Sequence, residues 1–212
     1  MGTRWVSVSG TKLMLGVTGH RLNILKTSDL PALRDTVGAV LVLWEKAVGS
    51  EASTTLVSAL AEGADRVVAS AGLERGWPLR VPLPFTRSRY LEDFKTTESR
   101  AEFKTLCERA ERVWVVNDIK AQGGYEELGH KIVQCCDGLL AVWNGGASGG
   151  AGGTADVVKN MLLASKPVIW IDTEQANQVR FLAPEAPCTD ELVQDLDAHF
   201  TRATVPVSLF QN

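Results

Sequence analysis

Residues that build metal sites and disulfide frameworks are scarce in this sequence. The 212 residues include four cysteines and three histidines, and no two cysteines are spaced as a CxxC pair. Zinc sites and disulfide scaffolds depend on such clusters, so we predict neither of them and no resident cofactor. Free cysteines are typical of the reducing cytosol, and we expect Cys135 and Cys136 to lie at a buried helix end.

The sequence also lacks an excess of basic residues and any long apolar run. Its net charge is −3 and its pI is about 5.7, whereas proteins that bind duplex DNA usually carry a basic face. Nucleic acid is therefore not the partner that we expect. No stretch approaches the roughly 20 apolar residues that cross a bilayer, and we find no signal-peptide pattern. We expect a cytoplasmic protein with no membrane partner.

Short apolar runs alternate with longer amphipathic segments along most of the chain. Leu139–Trp143 is apolar at every position, as in strands of parallel sheets, whose two faces are both buried. The predicted strands are Lys12–Val17, Thr54–Ala59, Leu79–Leu83, Arg112–Val116, Gly138–Trp143 and Pro167–Ile171. The predicted helices are Leu30–Val48, Ala64–Arg75, a helix or helix pair at Ser88–Ala110, Tyr125–Cys136 and Thr154–Ser165. The tail adds a helix at Leu192–Phe200 and a strand at Val205–Phe210.

Alternating strands and helices with continuous apolar runs predict an α/β fold. We expect a single Rossmann-like, doubly wound and mainly parallel sheet, in one domain over residues 1–212 with its core at about 12–172. Ligands of such sheets bind beyond the carboxyl ends of the strands, where the strand order reverses. The residues that follow each strand are therefore the candidates for a functional site.

The first strand ends in a loop that contains Gly16 and Gly19. Both glycines allow the backbone to approach a ligand closely, and exposed N–H groups in such a loop form an anion nest. Arg21 and Thr18 offer a guanidinium and a hydroxyl to a phosphate, and His20 is a candidate contact for a base, a sugar or a phosphate. A tight turn with a solvated His-Arg pair is the alternative. The pattern is neither GxGxxG nor a Walker A loop.

The second strand ends in small residues, and Gly63 starts the following helix. Helix N-termini leave N–H groups free and attract anions, so Glu62 and Gly63 are candidates for ligand contact. Asp65 lies in the first helical turn. It serves there either as a simple N-terminal helix charge or as the partner of a ribose hydroxyl or a base amine.

The third strand is followed by Phe85, Arg87, Arg89 and Tyr90. The two arginines are long enough to reach a phosphate, and the two aromatic rings could stack on a base. We include Phe85 and Arg87 among the candidate ligand-binding residues. Surface arginines at an ordinary helix start are the alternative.

The fifth strand is followed by an unusual segment with six glycines between Asn144 and Thr154. Glycines are costly to order, and a plain connector does not need them, so we predict a phosphate-binding loop rather than a flexible linker. Its candidate contacts are Asn144, Gly150, Gly152, Gly153 and Thr154, with Thr154 as the helix cap. Asp156 follows in the first turn. It is either an acid–base or nucleophilic carboxylate or an N-terminal helix charge.

Three of these segments together resemble the SLOG superfamily: Val17–Arg21, Ala61–Asp65 and Gly152–Asp156, in that order and at similar spacing. The superfamily includes the Lonely Guy-type phosphoribohydrolases, the Rossmann domain of DNA-processing protein A, and ligand-sensing domains. The resemblance covers about Lys12 to Ile171 and implies a Rossmann-like nucleotide pocket. In the hydrolases a catalytic glutamate follows the glycine motif, and Asp156, one methylene shorter, stands at the similar place. The resemblance also implies a homodimer, because related hydrolases often pair.

These observations support three hypotheses for function. The first is a module that binds a nucleotide or a nucleotide-derived small molecule, as a sensor in signalling or defence. The second is an N-glycosidic hydrolase of a nucleoside monophosphate, in which Asp156 or Glu62 supplies the carboxylate. The third is a single-stranded nucleic-acid binder that uses Phe85, Tyr90 and the arginines. We rank them in this order, and the sequence leaves open whether the chain is an enzyme.

Overall fold

A computed structural model of the chain describes residues 10–25, 29–116, 123–147, 150–175, 177–183 and 200–201. The strands are β1 (Lys12–Gly19), β2 (Ser53–Val57), β3 (Leu79–Leu83), β4 (Arg112–Val115), β5 (Gly138–Trp143), β6 (Val168–Asp172) and β7 (Gln178–Leu182). They form a seven-stranded sheet in the order β4-β3-β2-β1-β5-β6-β7. All neighbouring pairs from β4 to β6 are parallel, and β7 is antiparallel to β6.

Helices occupy the connections between the parallel strands. They are α1 (Leu30–Val48), α2 (Ala64–Glu74), α3 (Arg87–Leu91), α4 (Thr97–Arg109), α5 (Gly124–Cys135) and α6 (Thr154–Leu163). The alternation confirms the predicted α/β, Rossmann-like and mainly parallel fold. The ends of the elements from β1 to β6 differ from the predicted ones by no more than two residues.

Helices cover both faces of the sheet, which explains the continuous apolar runs. In β5, the side chains of Leu139, Ala141 and Trp143 pack into a cluster with α5 and α6. Leu140 and Val142 pack on the opposite face, in a cluster with α1 and α2. Because successive side chains of a strand point to opposite faces, a strand buried on both sides has no position for a polar residue.

The position of β1 in the middle of the sheet creates a crevice at the strand ends. From β1 the chain adds β2, β3 and β4 on one side, and then returns to the other side of β1 to form β5. The connections after β1 and β5 therefore leave toward opposite faces, and a crevice opens between them. Gly19 is paired with Val142, so these two strands end at nearly the same level.

Two elements add to the sequence-based expectation. The polar segment after β3 forms two helices, α3 and α4, which is one of the two predicted alternatives. The strand β7 was not predicted, and it pairs with β6 after a turn in which Asn177 has a φ of 57°. Edge strands are commonly short and carry polar residues, as Gln178 and Arg180 show here, so their periodicity is hard to recognise.

The start of α6 corrects one prediction. Gly153 occupies the cap position, no side chain caps the helix, and Thr154 is the first helical residue. The Thr154 hydroxyl therefore does not act as the cap.

Two predictions for the tail lie outside the described residues. They are the helix at Leu192–Phe200, apart from its last residue, and the strand at Val205–Phe210. Among the helices that the structure describes, none is apolar and long enough to traverse a bilayer.

Candidate functional site

A cavity of about 530 Å³ lies at the carboxyl ends of β1, β2 and β5, where the sheet topology places ligands in this class of fold. Cavities of this size are typical of small-molecule sites. Ten residues nominated from the sequence line it: Thr18, Gly19, His20, Arg21, Asp65, Asn144, Gly150, Gly152, Gly153 and Thr154. The structure thus brings the loops after three strands to one crevice.

Six nominated residues do not line this cavity: Gly16, Glu62, Gly63, Phe85, Arg87 and Asp156. Gly16 lies deeper in β1, where a Cβ would come within 2.9 Å of the Ile132 side chain. Glu62 is directed to α4, and its carboxylate accepts a hydrogen bond from the Ser99 hydroxyl. Both residues therefore support the packing around the site.

Asp156 supports the glycine loop after β5. Its Oδ2 accepts a hydrogen bond from the N–H of Gly152 at 3.1 Å. The residue lines a neighbouring depression of about 250 Å³ together with Glu126 and His130. Asp156, one of the two carboxylates on which the hydrolase hypothesis relied, is thus engaged by the backbone of the loop and does not line the main cavity.

The residues after β3 lie at the side of the site. Arg87 is exposed at the start of α3. Arg89 donates a hydrogen bond to Asp93 at 3.0 Å, and its guanidinium lies 5.2 Å from the centre of the Phe85 ring. Tyr90 is fully buried, so it offers no ring face on which a nucleic-acid base could stack, contrary to the third hypothesis.

His20 connects the three strand ends. The N–H of Asn144 donates a hydrogen bond to His20 Nε2 at 3.1 Å. On the other side, the carbonyl of His20 accepts a hydrogen bond from the N–H of Ala64 at 3.1 Å. A Cβ at Gly63 would come within 2.7 Å of that same oxygen, which explains why a glycine precedes α2.

Glycines after β5 allow close packing of the loop. Gly152 has a φ of 77°, and a Cβ there would lie 2.4 Å from the backbone of Tyr125 in α5. Gly145 has a φ of 78° and lies against the Trp170 ring. The loop leads to the N-terminus of α6 at Thr154, which lines the cavity. The first N–H groups of a helix have no intrahelical partner and carry a positive partial charge.

Arg21 is held at the cavity wall by a chain of hydrogen bonds. Its Nη2 donates to the Tyr125 hydroxyl at 2.9 Å, and the guanidinium lies 5.5 Å from the centre of that ring. The Tyr125 hydroxyl donates in turn to Asp93. Within the described part of the chain, Arg21 forms no salt bridge. Its positive charge therefore faces the cavity without a directly paired carboxylate.

Asp65 places a carboxyl group in the wall of the same cavity. The residue is 5% exposed, and burial raises its pKa to about 7, although the N–H of Ala61 and the charges of Arg21 and Arg66 favour the ionised form. An ordinary N-terminal helix charge lies in solvent, and Asp65 does not. Perturbed carboxyl groups in cavities are frequent at functional sites.

Sequence reasoning missed Tyr125 as a member of the site and misjudged Tyr90. Both line the cavity, from α5 and α3, and they are the only two tyrosines of the sequence. Because a buried tyrosine needs a partner for its hydroxyl, the two tyrosines could have been nominated as site residues from the sequence.

In the described ranges, no group of three His, Cys, Asp or Glu side chains could hold a metal ion.

The parallel sheet, the glycine-rich strand ends and the cavity at the switch point define a Rossmann-like α/β domain. This Rossmann-like architecture is the one that the resemblance of the three sequence segments implied. DNA processing protein A from Streptococcus pneumoniae has a similar structure, with a TM-score of 0.54 at 12% identity, over 95% of this chain and 64% of that chain. The chain thus spans less than two thirds of that protein's length.

Two further solved structures are similar. DNA processing protein A from Helicobacter pylori, described for its single-stranded DNA binding mode, has a TM-score of 0.50 at 12% identity, over 91% of this chain and 75% of that chain. The Moco carrier protein from Chlamydomonas rheinhardtii has a TM-score of 0.44 at 14% identity, over 94% of both chains. No protein-family model and no curated protein sequence matches this chain.

Proposed function

We propose that this chain binds a nucleotide or a nucleotide-derived ligand, with its phosphate, in the cavity at the strand ends. The observation that carries the proposal is that Arg21 and the uncapped N-terminus of α6 line the same cavity. A guanidinium matches the geometry of a phosphate, and a helix N-terminus supplies N–H groups and a favourable dipole. Arg21 pairs with no described carboxylate, so its charge can serve an anion.

The remaining lining favours a ligand with an apolar part. Val17, Leu128 and Ile132 contribute apolar walls, and Ile24, which is 52% exposed, lies at the same cavity. A nucleotide combines a phosphate with a flat base, so it uses both kinds of wall, whereas inorganic phosphate uses only one. With Asp156 and Glu62 outside the cavity, binding is the function that the site supports best, and we propose a sensor as its use.

Calorimetric titration of the full chain with the nucleoside 5′-monophosphates and with ADP-ribose tests the proposal. We expect at least one of them to bind, and Arg21→Ala to weaken that binding about tenfold or more, because a hydrogen bond to a charged group contributes about 1.5–3 kcal/mol. Arg34→Ala, on an exposed position of α1, is the matched control and should leave the affinity unchanged. Absence of binding by every compound would overturn the proposal.

An oligonucleotide separates this proposal from nucleic-acid binding. The Helicobacter pylori protein of similar fold binds single-stranded DNA, but here Tyr90 is buried and the net charge is −3. We expect no gel shift of a single-stranded oligonucleotide at low salt. A shift that weakens steeply as salt increases would instead support a strand-binding groove.

N-glycosidic hydrolysis is a second candidate, favoured by the carboxyl of Asp65 in the cavity. Its pKa of about 7 suits a group that takes up and releases a proton at neutral pH. Water would replace the base at C1′, and the proton of the water would pass through Asp65 to the departing base nitrogen. Chromatography for free base tests this: release should be lost in Asp65→Asn and retained in Asp156→Asn. If no nucleotide releases free base, hydrolysis is excluded and binding remains as the proposed function.

A further inference from the structure

The phenol oxygen of Tyr90 is buried and has no hydrogen-bond partner among the described residues. Its ring is fixed in an aromatic cluster, with the centres of Phe94 and Phe103 at 5.0 and 5.7 Å. Buried polar atoms are nearly always paired, and an unpaired one costs about 1–3 kcal/mol. A hydroxyl that is kept in this position without a protein partner points to a partner from outside the chain.

Tyr90 belongs to the wall of the cavity, together with Asp65 and Tyr125. Burial raises the pKa of Tyr90 well above its usual value, and Asp65 and Tyr125 raise it further, while Arg21 and Arg66 oppose them. Asp65, Tyr125 and Arg21 come from different elements and line the cavity, as Tyr90 itself does. The centre of the Tyr125 ring lies 6.4 Å from that of Tyr90, so Tyr90 packs against a residue of the cavity wall as well as against the two phenylalanines.

Asp65 supplies an acceptor in the wall of the same cavity. One of its oxygens accepts a hydrogen bond from the N–H of Ala61 at a long distance of 3.4 Å, and Ser58 also hydrogen-bonds to the carboxylate. A carboxylate has about four acceptor positions, so lone pairs remain for a further donor. A phosphate is repelled by a carboxylate and belongs at the glycine loop after β5. Because β1 separates β2 from β5, the two positions are about 10 Å apart, at roughly 4.8 Å for each strand spacing.

The chemistry of this pair selects a hydroxyl group. A sugar hydroxyl can donate to Asp65 and accept from Tyr90, whereas a base amine can only donate and would leave the Tyr90 hydroxyl unpaired. We propose that Asp65 and Tyr90 form a subsite for a hydroxyl of the sugar, so that the chain binds ribose phosphates in preference to deoxyribose phosphates. The proposal rests on the proposed function and deepens it by naming the class of ligand.

Paired sugars test the subsite directly. The probes are ribose 5-phosphate against 2-deoxyribose 5-phosphate, and AMP against its 2′-deoxy and 3′-deoxy analogues, each titrated into the full chain by calorimetry. We expect at least one deoxy analogue to bind about tenfold to a hundredfold more weakly, since it forfeits a hydrogen bond to a charged group. Equal affinities of AMP and both analogues would overturn the subsite and leave phosphate binding intact. Absence of binding by every probe would overturn the proposed function as well.

Two variants test whether Asp65 and Tyr90 cause the preference for ribose over deoxyribose. Tyr90→Phe keeps the ring contacts and removes only the unpaired oxygen, so it should fold with an unchanged or higher Tm. In Tyr90→Phe and in Asp65→Asn the ratio of ribose to deoxyribose affinity should fall toward one, with little change for the deoxy analogue. Asp35→Asn, on an exposed position of α1, should keep the ratio of the unaltered chain. A ratio that survives in both site variants would contradict the proposal.

Discussion

Single residues of the cavity have sharply different electrostatic behaviour. Arg21 remains charged at all relevant pH values and is oriented through Tyr125, which bonds to Asp93. Asp65 is buried and changes its charge near neutral pH. The proposed binding of an anion and a hydroxyl at separate positions relies on this difference between a permanent cation and a titratable carboxyl in one wall.

Asp65 should make the stability of the chain depend on pH. Its pKa in the folded chain is about 7, against an ordinary value of 3.8, so between these values the folded chain holds a proton that the unfolded chain has released. Folding is therefore favoured at low pH, and the free energy of unfolding falls as the pH rises from about 4 to about 7. The loss is on the order of 3 kcal/mol.

Urea unfolding at pH 5 and pH 8 measures this dependence. In Asp65→Asn the neutral amide has no such transition, so the variant should lose less stability between the two pH values and exceed the unaltered chain at pH 8. The charges that act on the carboxyl, those of Arg21 and Arg66, do not titrate in this range. Parallel pH profiles of variant and unaltered chain would show that Asp65 does not titrate as described.

At the scale of elements, the loop between β5 and α6 determines the shape of the site. Its glycines permit a path that other residues cannot follow, with Gly152 packed on the backbone of α5. Asp156 holds the same turn through the N–H of Gly152. This loop and α6 therefore act as one unit, and α5 forms its support.

Gly152→Ala should disrupt this unit. A Cβ there would meet the Tyr125 carbonyl at 2.4 Å while φ is 77°, and a left-handed alanine costs about 1–2 kcal/mol before the clash is counted. We expect a loss of about 2–4 kcal/mol in the free energy of unfolding and no measurable ligand binding. Gly150→Ala is the matched control, because its Cβ would meet nothing within 4 Å. Similar stability of both variants, measured by urea unfolding, would contradict this account of the loop.

At the scale of the whole molecule, the sheet order gives the chain two unlike ends. The carboxyl ends of β1, β2 and β5 carry the cavity, and the opposite end carries tight connections such as that from Val48 to Ser53. A bound ligand should therefore protect backbone N–H groups locally at the cavity end and not at the opposite end.

Hydrogen exchange with and without AMP, or whichever probe binds best by calorimetry, tests this asymmetry. At 100 times its Kd a ligand adds about 2.7 kcal/mol to the free energy of unfolding, which urea unfolding should show. We expect local protection at residues 18–21, 61–65 and 150–154, and none at residues 49–52 and 76–78 beyond the global effect. Equal local protection at both ends would contradict a site at the switch point.

The sequence by itself determined the layers of the fold and the edge of the sheet at which the cavity lies. Runs such as Leu139–Trp143 read as buried strands because burial on both faces excludes polar residues locally. Glycines at the ends of β1 and β5 marked the crevice because parallel strands place their carboxyl ends on one edge. These signals are carried by neighbouring residues, so no tertiary information was needed.

The tertiary structure decided which side chains meet in that crevice. Asp65 is the second residue of α2 and Asp156 the third residue of α6. Both lie in a first helical turn, yet Asp65 lines the cavity and Asp156 is turned to the glycine loop. Arg21 donates a hydrogen bond to the Tyr125 hydroxyl, although the two residues are 104 positions apart in the sequence. Tyr90 reaches the cavity from the short helix α3, which follows β3. Such contacts depend on the packing of whole elements, and no local pattern records the direction in which an element presents a side chain.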